Sequence, residues 1–89
     1  SEAESEGRFT EEPGIQVVRV LMNEKGNLLL DDEPVEMSNL TDAVRRRITT
    51  DDARAALIYA DGAPGDRIDA AEASLRALDL QMVYIKPAA

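Results

Sequence analysis

Cysteine, histidine and tryptophan are absent from these 89 residues, and the aromatics come down to one Phe and two Tyr. Without histidine there is no Ser-His-Asp triad, no Cys-His pair and no histidine-ligated zinc. Without cysteine there is no thiol nucleophile, no Fe–S cluster and no disulfide framework, and the redox compartment stays open. So few aromatics leave no stacking platform for bases or sugars. Basic residues are also scarce, ten against eighteen acids, for a formal net charge of −8. That sign opposes nucleic-acid binding, which needs a basic face to release counterions. It equally opposes attachment to anionic lipid, which needs a Lys/Arg cluster. No run approaches the roughly 18 consecutive apolar residues of a membrane helix. What remains is a small acidic binding or structural module, whose 44% hydrophobic content supports one modest core in one domain.

The charge is unevenly spread. Residues 1–12 hold five acids and one base, which is half of the net charge. They have almost nothing to bury, so ordering them costs backbone entropy without return. Residues 1–14 therefore read as a flexible acidic leader or linker ending at Pro13-Gly14, residues 15–86 as the folded domain and 87–89 as a tail. Such a leader equally suits a linker that follows a membrane anchor.

The body reads as a regular series. Residues 15–22 are β-branched and predict a strand, Asn23 to Gly26 a turn with Gly26 at positive φ, and residues 27–30 a short return strand. Asp31 to Pro34 predicts a second turn, because Pro34 is barred from a central ladder. Ser38 is the expected N-cap of a helix over 39–49, on which Leu40, Ala43, Val44 and Ile48 form one apolar stripe. Residues 55–59 predict a buried strand. The segment 61–66 is a loop with Asp61 or Asp66 available as a cap. A second helix is expected over 67–79, with Ile68, Ala71, Leu75 and Leu78 on one side, and a last strand over 81–85. The order β-β-α-β-α-β, with an antiparallel opening hairpin and a short crossover between parallel strands, predicts an α+β two-layer sandwich. Its mixed sheet carries both helices on one face.

These segments resemble the periplasmic domain of the ExbD/TolR family of biopolymer-transport proteins. The likeness rests on Val20 to Leu30 around Gly26, Glu33-Pro34-Val35 and Leu40 to Val44. It continues through Ala56-Leu57-Ile58-Tyr59-Ala60-Asp61, Pro64-Gly65, Ile68 to Ala71 and Gln81 to Ile85, and so covers about residues 15–86. Two features depart from the family pattern: the loop after Asp61 is about a residue shorter, and Leu78-Asp79 replaces the usual Ala-Gly after the second helix, which removes the αL cap residue. The family's membrane helix and intramembrane aspartate have no counterpart in this sequence.

The resemblance implies a non-enzymatic, cofactor-free role as the periplasmic domain of an inner-membrane protein of a Gram-negative bacterium. It implies homodimerisation, an ExbB/TolQ-like proton-channel partner, and a TonB/TolA-like protein to which proton-motive force is passed; some members also engage peptidoglycan. The membrane is reached only through an anchor outside these residues.

The remaining motifs have plainer readings. The loop 61–66 lacks the Lys-Ser/Thr of a phosphate loop and the spaced acids of an EF-hand, which favours a strand-to-helix turn. Asp31-Asp32-Glu33 and Asp51-Asp52 are adjacent acids in turns, which face water; a carboxylate hydrolase needs such groups held across a cleft. Arg45, Arg46 and Arg47 succeed one another at about 100° on a helix and cannot form one patch. Near the helix C-terminus they complement its dipole, with docking of an acidic partner as the alternative.

Alternation puts Ile15, Val17, Arg19 and Leu21 on one face of the first strand and Gln16, Val18, Val20 and Met22 on the other. Both faces carry apolar residues, more than an outer face requires, and a contiguous apolar patch there would mark an interface. Edge-strand logic assigns partner contacts, including self-association, to the first and last strands: Val18, Arg19, Val20, Met22, Met82, Tyr84 and Ile85. The rival reading is a small-molecule-sensing regulatory module of ferredoxin-like type, binding a ligand between protomers.

Overall fold

A computed structural model describes residues 15–89; the leader lies outside the described residues. Five strands form one mixed sheet: β1 (Gln16–Met22), β2 (Leu28–Leu30), β3 (Glu33–Val35), β4 (Ala53–Tyr59) and β5 (Met82–Pro87). Two helices, α1 (Leu40–Arg47) and α2 (Gly65–Arg76), complete the α+β sandwich. The spatial order is β3-β2-β1-β4-β5. The opening hairpin β1–β2 is antiparallel, while β1–β4 and β4–β5 are parallel, as the crossover lengths require.

The sequence alternation of β1 becomes a division of labour in three dimensions. Val18, Val20 and Met22 are buried in one cluster with Leu28, Leu30, Ala55 and Leu57 from the neighbouring strands. Leu40 and Val44 of α1, and Ala71 and Leu75 of α2, complete that cluster, so both helices cover the same face. Ala43, Ile48, Ile68 and Leu78 pack against it as the helical stripes predict.

Local chemistry explains most element ends. Asn23 Oδ1 accepts the N–H groups of Lys25 and Asn27, both at 2.9 Å, and Gly26 takes φ +87°, closing the β1–β2 turn. Asn39, not Ser38, holds the N-cap position of α1, because a 3₁₀ turn over Met37–Asn39 delays the helix by a residue. The last carbonyl of α1 and an amide just beyond the helix are met from β1: Gln16 Nε2 donates to Arg47 O at 2.6 Å, and Gln16 Oε1 accepts the Thr49 N–H at 2.8 Å. Helix α2 starts two residues earlier than expected, with Pro64 at its N-cap position, so neither Asp61 nor Asp66 caps it there. Its C-cap Ala77 stays right-handed (φ −72°), in keeping with the missing glycine. Thr41 Oγ1 donates to Ser74 O at 3.0 Å and ties the two helices together.

One strand escaped the sequence reading. Residues 33–35 pair antiparallel with β2 through a two-residue turn in which Asp31 (φ 52°) and Asp32 (φ 68°) both lie at positive φ. Two positive φ values are what a type I′ hairpin turn demands. Pro34 lies in the middle of this strand, opposite Leu29. In such a hairpin the closing pair, Leu30 and Glu33, exchanges hydrogen bonds and the next pair does not. The nitrogen of Pro34 therefore turns away from β2, where its missing N–H costs the ladder nothing.

Candidate interaction surface

The strand order corrects the edge assignment for the first strand. β1 lies between β2 and β4 in the strand order, with Val20–Met22 paired to both neighbours and Gln16–Arg19 paired to β4, so it is not an outermost strand. Val18, Val20 and Met22 are core residues under the helices and are closed to any partner. They looked available because alternation alone does not say which strand is central. Arg19 lies on the opposite, helix-free face. β5 is outermost, as expected; Met82 is exposed at its start, Tyr84 points to the helix-free face, and Ile85 packs on the helix side against the core.

The two ends of the sheet differ. β3 is three residues long and carries Pro34, whose nitrogen faces outward without a proton, and such an edge resists strand addition. β5 is six residues long with proline only at its last position. The ladder to β4 is extended at one end by the Gln81 N–H on Ala53 O at 2.9 Å, and at the other by the Ala88 N–H on Tyr59 O at 2.7 Å.

The helix-free face has its own composition. The registers place Pro34, Leu29, Leu21, Ile58 and Lys86 in one row across all five strands. Arg19, Ala56 and Tyr84 form the next row, and Val17, Arg54 and Met82 the one after. Leu21 (40% exposed), Leu29 (36%) and Met82 (49%) are the exposed large hydrophobic residues among those described, and all three occupy this face. Leu21, Leu29, Pro34, Ile58 and Arg54 were not among the residues first assigned to partner contacts. The signal for Leu21 was present in the alternation of β1, but the row it joins depends on pairing across strands.

The charged motifs disperse. Arg45 pairs with Asp42 at 2.7 Å, and Arg47 reaches Asp31 at 2.5 Å and Glu33 at 3.3 Å. Arg46 and Arg47 both line a groove of about 350 Å³ between β3 and α1, with Glu33, Glu36 and Asp42 among its walls. Two arginines of the run thus share one groove with acids of their own chain, and Arg45 pairs with one of those acids. Asp51 and Asp52 lie just before β4, and among the described residues no three acids gather around a common point. No known protein-family model matches the chain, and no curated protein matches it significantly.

Proposed function

We propose that this chain works by binding rather than catalysis, as the periplasmic domain of an ExbD/TolR-type protein in the inner membrane of a Gram-negative bacterium. In this reading it dimerises and, with an ExbB/TolQ-like channel protein, passes proton-motive force to a TonB/TolA-like partner. One observation carries the binding role: among the described residues, the exposed large hydrophobics Leu21, Leu29 and Met82 lie on the sheet face opposite α1 and α2. A face of that kind suits contact with another chain. The transport assignment rests on the resemblance of residues 15–86, and the observed order of three strands, helix, strand, helix and strand is compatible with it. The outer strand β5 is the site proposed for self-pairing, because the Pro34 edge is unsuited to it.

The test is titration of the isotopically labelled chain with the periplasmic segment of a TonB- or TolA-like protein, alongside sedimentation of the chain alone. Shifted amides over residues 82–87 and a concentration-dependent dimer are the expected results. Unmoved amides throughout the sheet, with a monomer at all concentrations, would reject the reading.

A further inference from the structure

The groove between β3 and α1 is lined by one anion and one cation that no other described residue engages. Arg47 is taken by Asp31 and Glu33, and Asp42 by Arg45. Glu36 and Arg46 line the same groove, and among the described residues neither side chain has an ion pair or a hydrogen bond. Asn39 lines it too; it holds the N-cap position of α1, yet its side chain makes no capping bond. The fold keeps the two charges apart. Glu36 O accepts the Asn39 N–H at 2.9 Å, which fixes Glu36 beside the start of α1. The contact of Arg47 with Glu33 holds the far end of the helix against the start of β3. Seven steps of helical rise, from Asn39 to Arg46, put the two ends about 10 Å apart. Leu30, Val35 and Ala43 add apolar lining.

We propose that this groove binds a short zwitterionic peptide, about three small residues long with free amino and carboxyl ends. Glu36 takes the ammonium group, and Arg46 takes the carboxylate, whose two oxygens match the paired donors of a guanidinium. Three extended residues span about 10 Å, the length of the groove between these charges. The Asn39 amide, both donor and acceptor, is available to a peptide group of the ligand. Pro34 offers an acceptor as well: in its non-hydrogen-bonded pair with Leu29 the carbonyl, like the nitrogen, turns away from β2. The volume of about 350 Å³ lies at the small end of ligand sites, which suits small side chains against Leu30, Val35 and Ala43. A purely anionic ligand meets Glu33, Glu36 and Asp42, and a purely cationic one leaves Arg46 unanswered. No group of three acids among the described residues is placed to hold a metal ion. Glu36 and Arg46 are exposed, so each charge contact is weak and binding is reversible. This inference stands whether or not the transport reading holds.

The probes are trialanine with free ends, N-acetyl-trialanine, trialanine amide and free alanine, each titrated into the labelled 89-residue chain. Trialanine is expected to shift the amides of Glu36, Asn39, Ala43 and Arg46, and to bind less well as salt rises. Either cap is expected to lower affinity about threefold, the worth of one exposed charge contact. Free alanine, too short to reach both charges, is expected to leave those amides in place. Glu36→Gln should no longer distinguish trialanine from its N-acetyl form, and Arg46→Gln should no longer distinguish it from the amide, each variant keeping the other preference. Both positions are exposed, and unchanged β4 amides verify that the variants fold. Equal affinity for free and capped peptides, equal binding of free alanine, or groove amides that stay in place at saturating trialanine would overturn the proposal. The transport reading is judged by its own titration over residues 82–87 and fails or survives independently.

Discussion

The guanidinium of Arg67, in the first turn of α2, donates two hydrogen bonds to the carbonyl oxygen of Gly26 in the β1–β2 turn, from Nε at 3.1 Å and Nη2 at 2.8 Å. Forty-one residues apart in sequence, they clamp the start of a helix to the tip of a hairpin. The same approach leaves no room at Gly26: a Cβ there would sit 3.0 Å from Arg67 Cγ and Nε.

Gly26→Ala therefore combines two penalties, an L-residue at φ +87° and a collision with Arg67. The backbone term alone is about 1–2 kcal/mol. Urea unfolding should show a loss of about 2–3 kcal/mol for Gly26→Ala and about 1–2 kcal/mol for Arg67→Ala. In the Arg67→Ala background Gly26→Ala should cost about 1 kcal/mol less than alone, a non-additivity expected of groups in contact. Strict additivity would mean that the two do not communicate.

Gln16 acts as a clamp on the C-terminal end of α1 from a different element, donating to Arg47 O and accepting from the Thr49 N–H. Gln16→Ala should destabilise by about 1–2 kcal/mol, since one amide serves both groups. Gln16→Glu keeps the acceptor for Thr49 but loses the donor for Arg47 O, and should fall at least as far. Hydrogen exchange in the last turn of α1 should accelerate in both variants more than exchange in β4.

The Asp31–Asp32 turn holds two non-glycine residues at positive φ. Asp32→Gly relieves that conformation and should stabilise by about 0.5 kcal/mol. Asp32→Val, β-branched at the same φ, should destabilise by about 1–2 kcal/mol. Asp31→Gly should gain less than Asp32→Gly, because it also removes the pairing with Arg47. Thermal midpoints of the three variants in one buffer decide the order.

Adjacent residues of β1 should respond in opposite ways. Val20 is completely buried and Leu21 is 40% exposed. Val20→Ala should cost about 2 kcal/mol through lost burial and the cavity left behind. Leu21→Thr keeps a strand-forming side chain and should change stability by less than about 0.5 kcal/mol. Equal losses at the two positions would mean that the helix-free face is covered.

What could be read in advance follows the range of the forces involved. The stripes of Leu40 with Val44 and of Ala71 with Leu75 are periodic, so one helix carries its own evidence of a buried side. The alternation of β1 likewise separated Val18, Val20 and Met22 from Val17, Arg19 and Leu21. Residues 33–35 were legible only as a turn, because three residues with a central proline look unlike a strand until β2 is placed beside them. Asp31 and Asp32 gave no sign of positive φ, since neither is glycine and the hairpin imposes the conformation.

Sequence by itself determined the chemistry this protein lacks, the class of its fold and the two sides of each helix and strand, because these depend on residue type and short spacing. Tertiary structure alone decided that β1 is central and β5 outermost, that Arg67 grips Gly26 and Gln16 holds α1. It also decided that Leu21, Leu29 and Ile58 line up in one row across the sheet. Those relationships arise from which strand hydrogen-bonds to which, and pairing between distant segments is settled by the burial of the whole core at once, not by any stretch of chain taken alone.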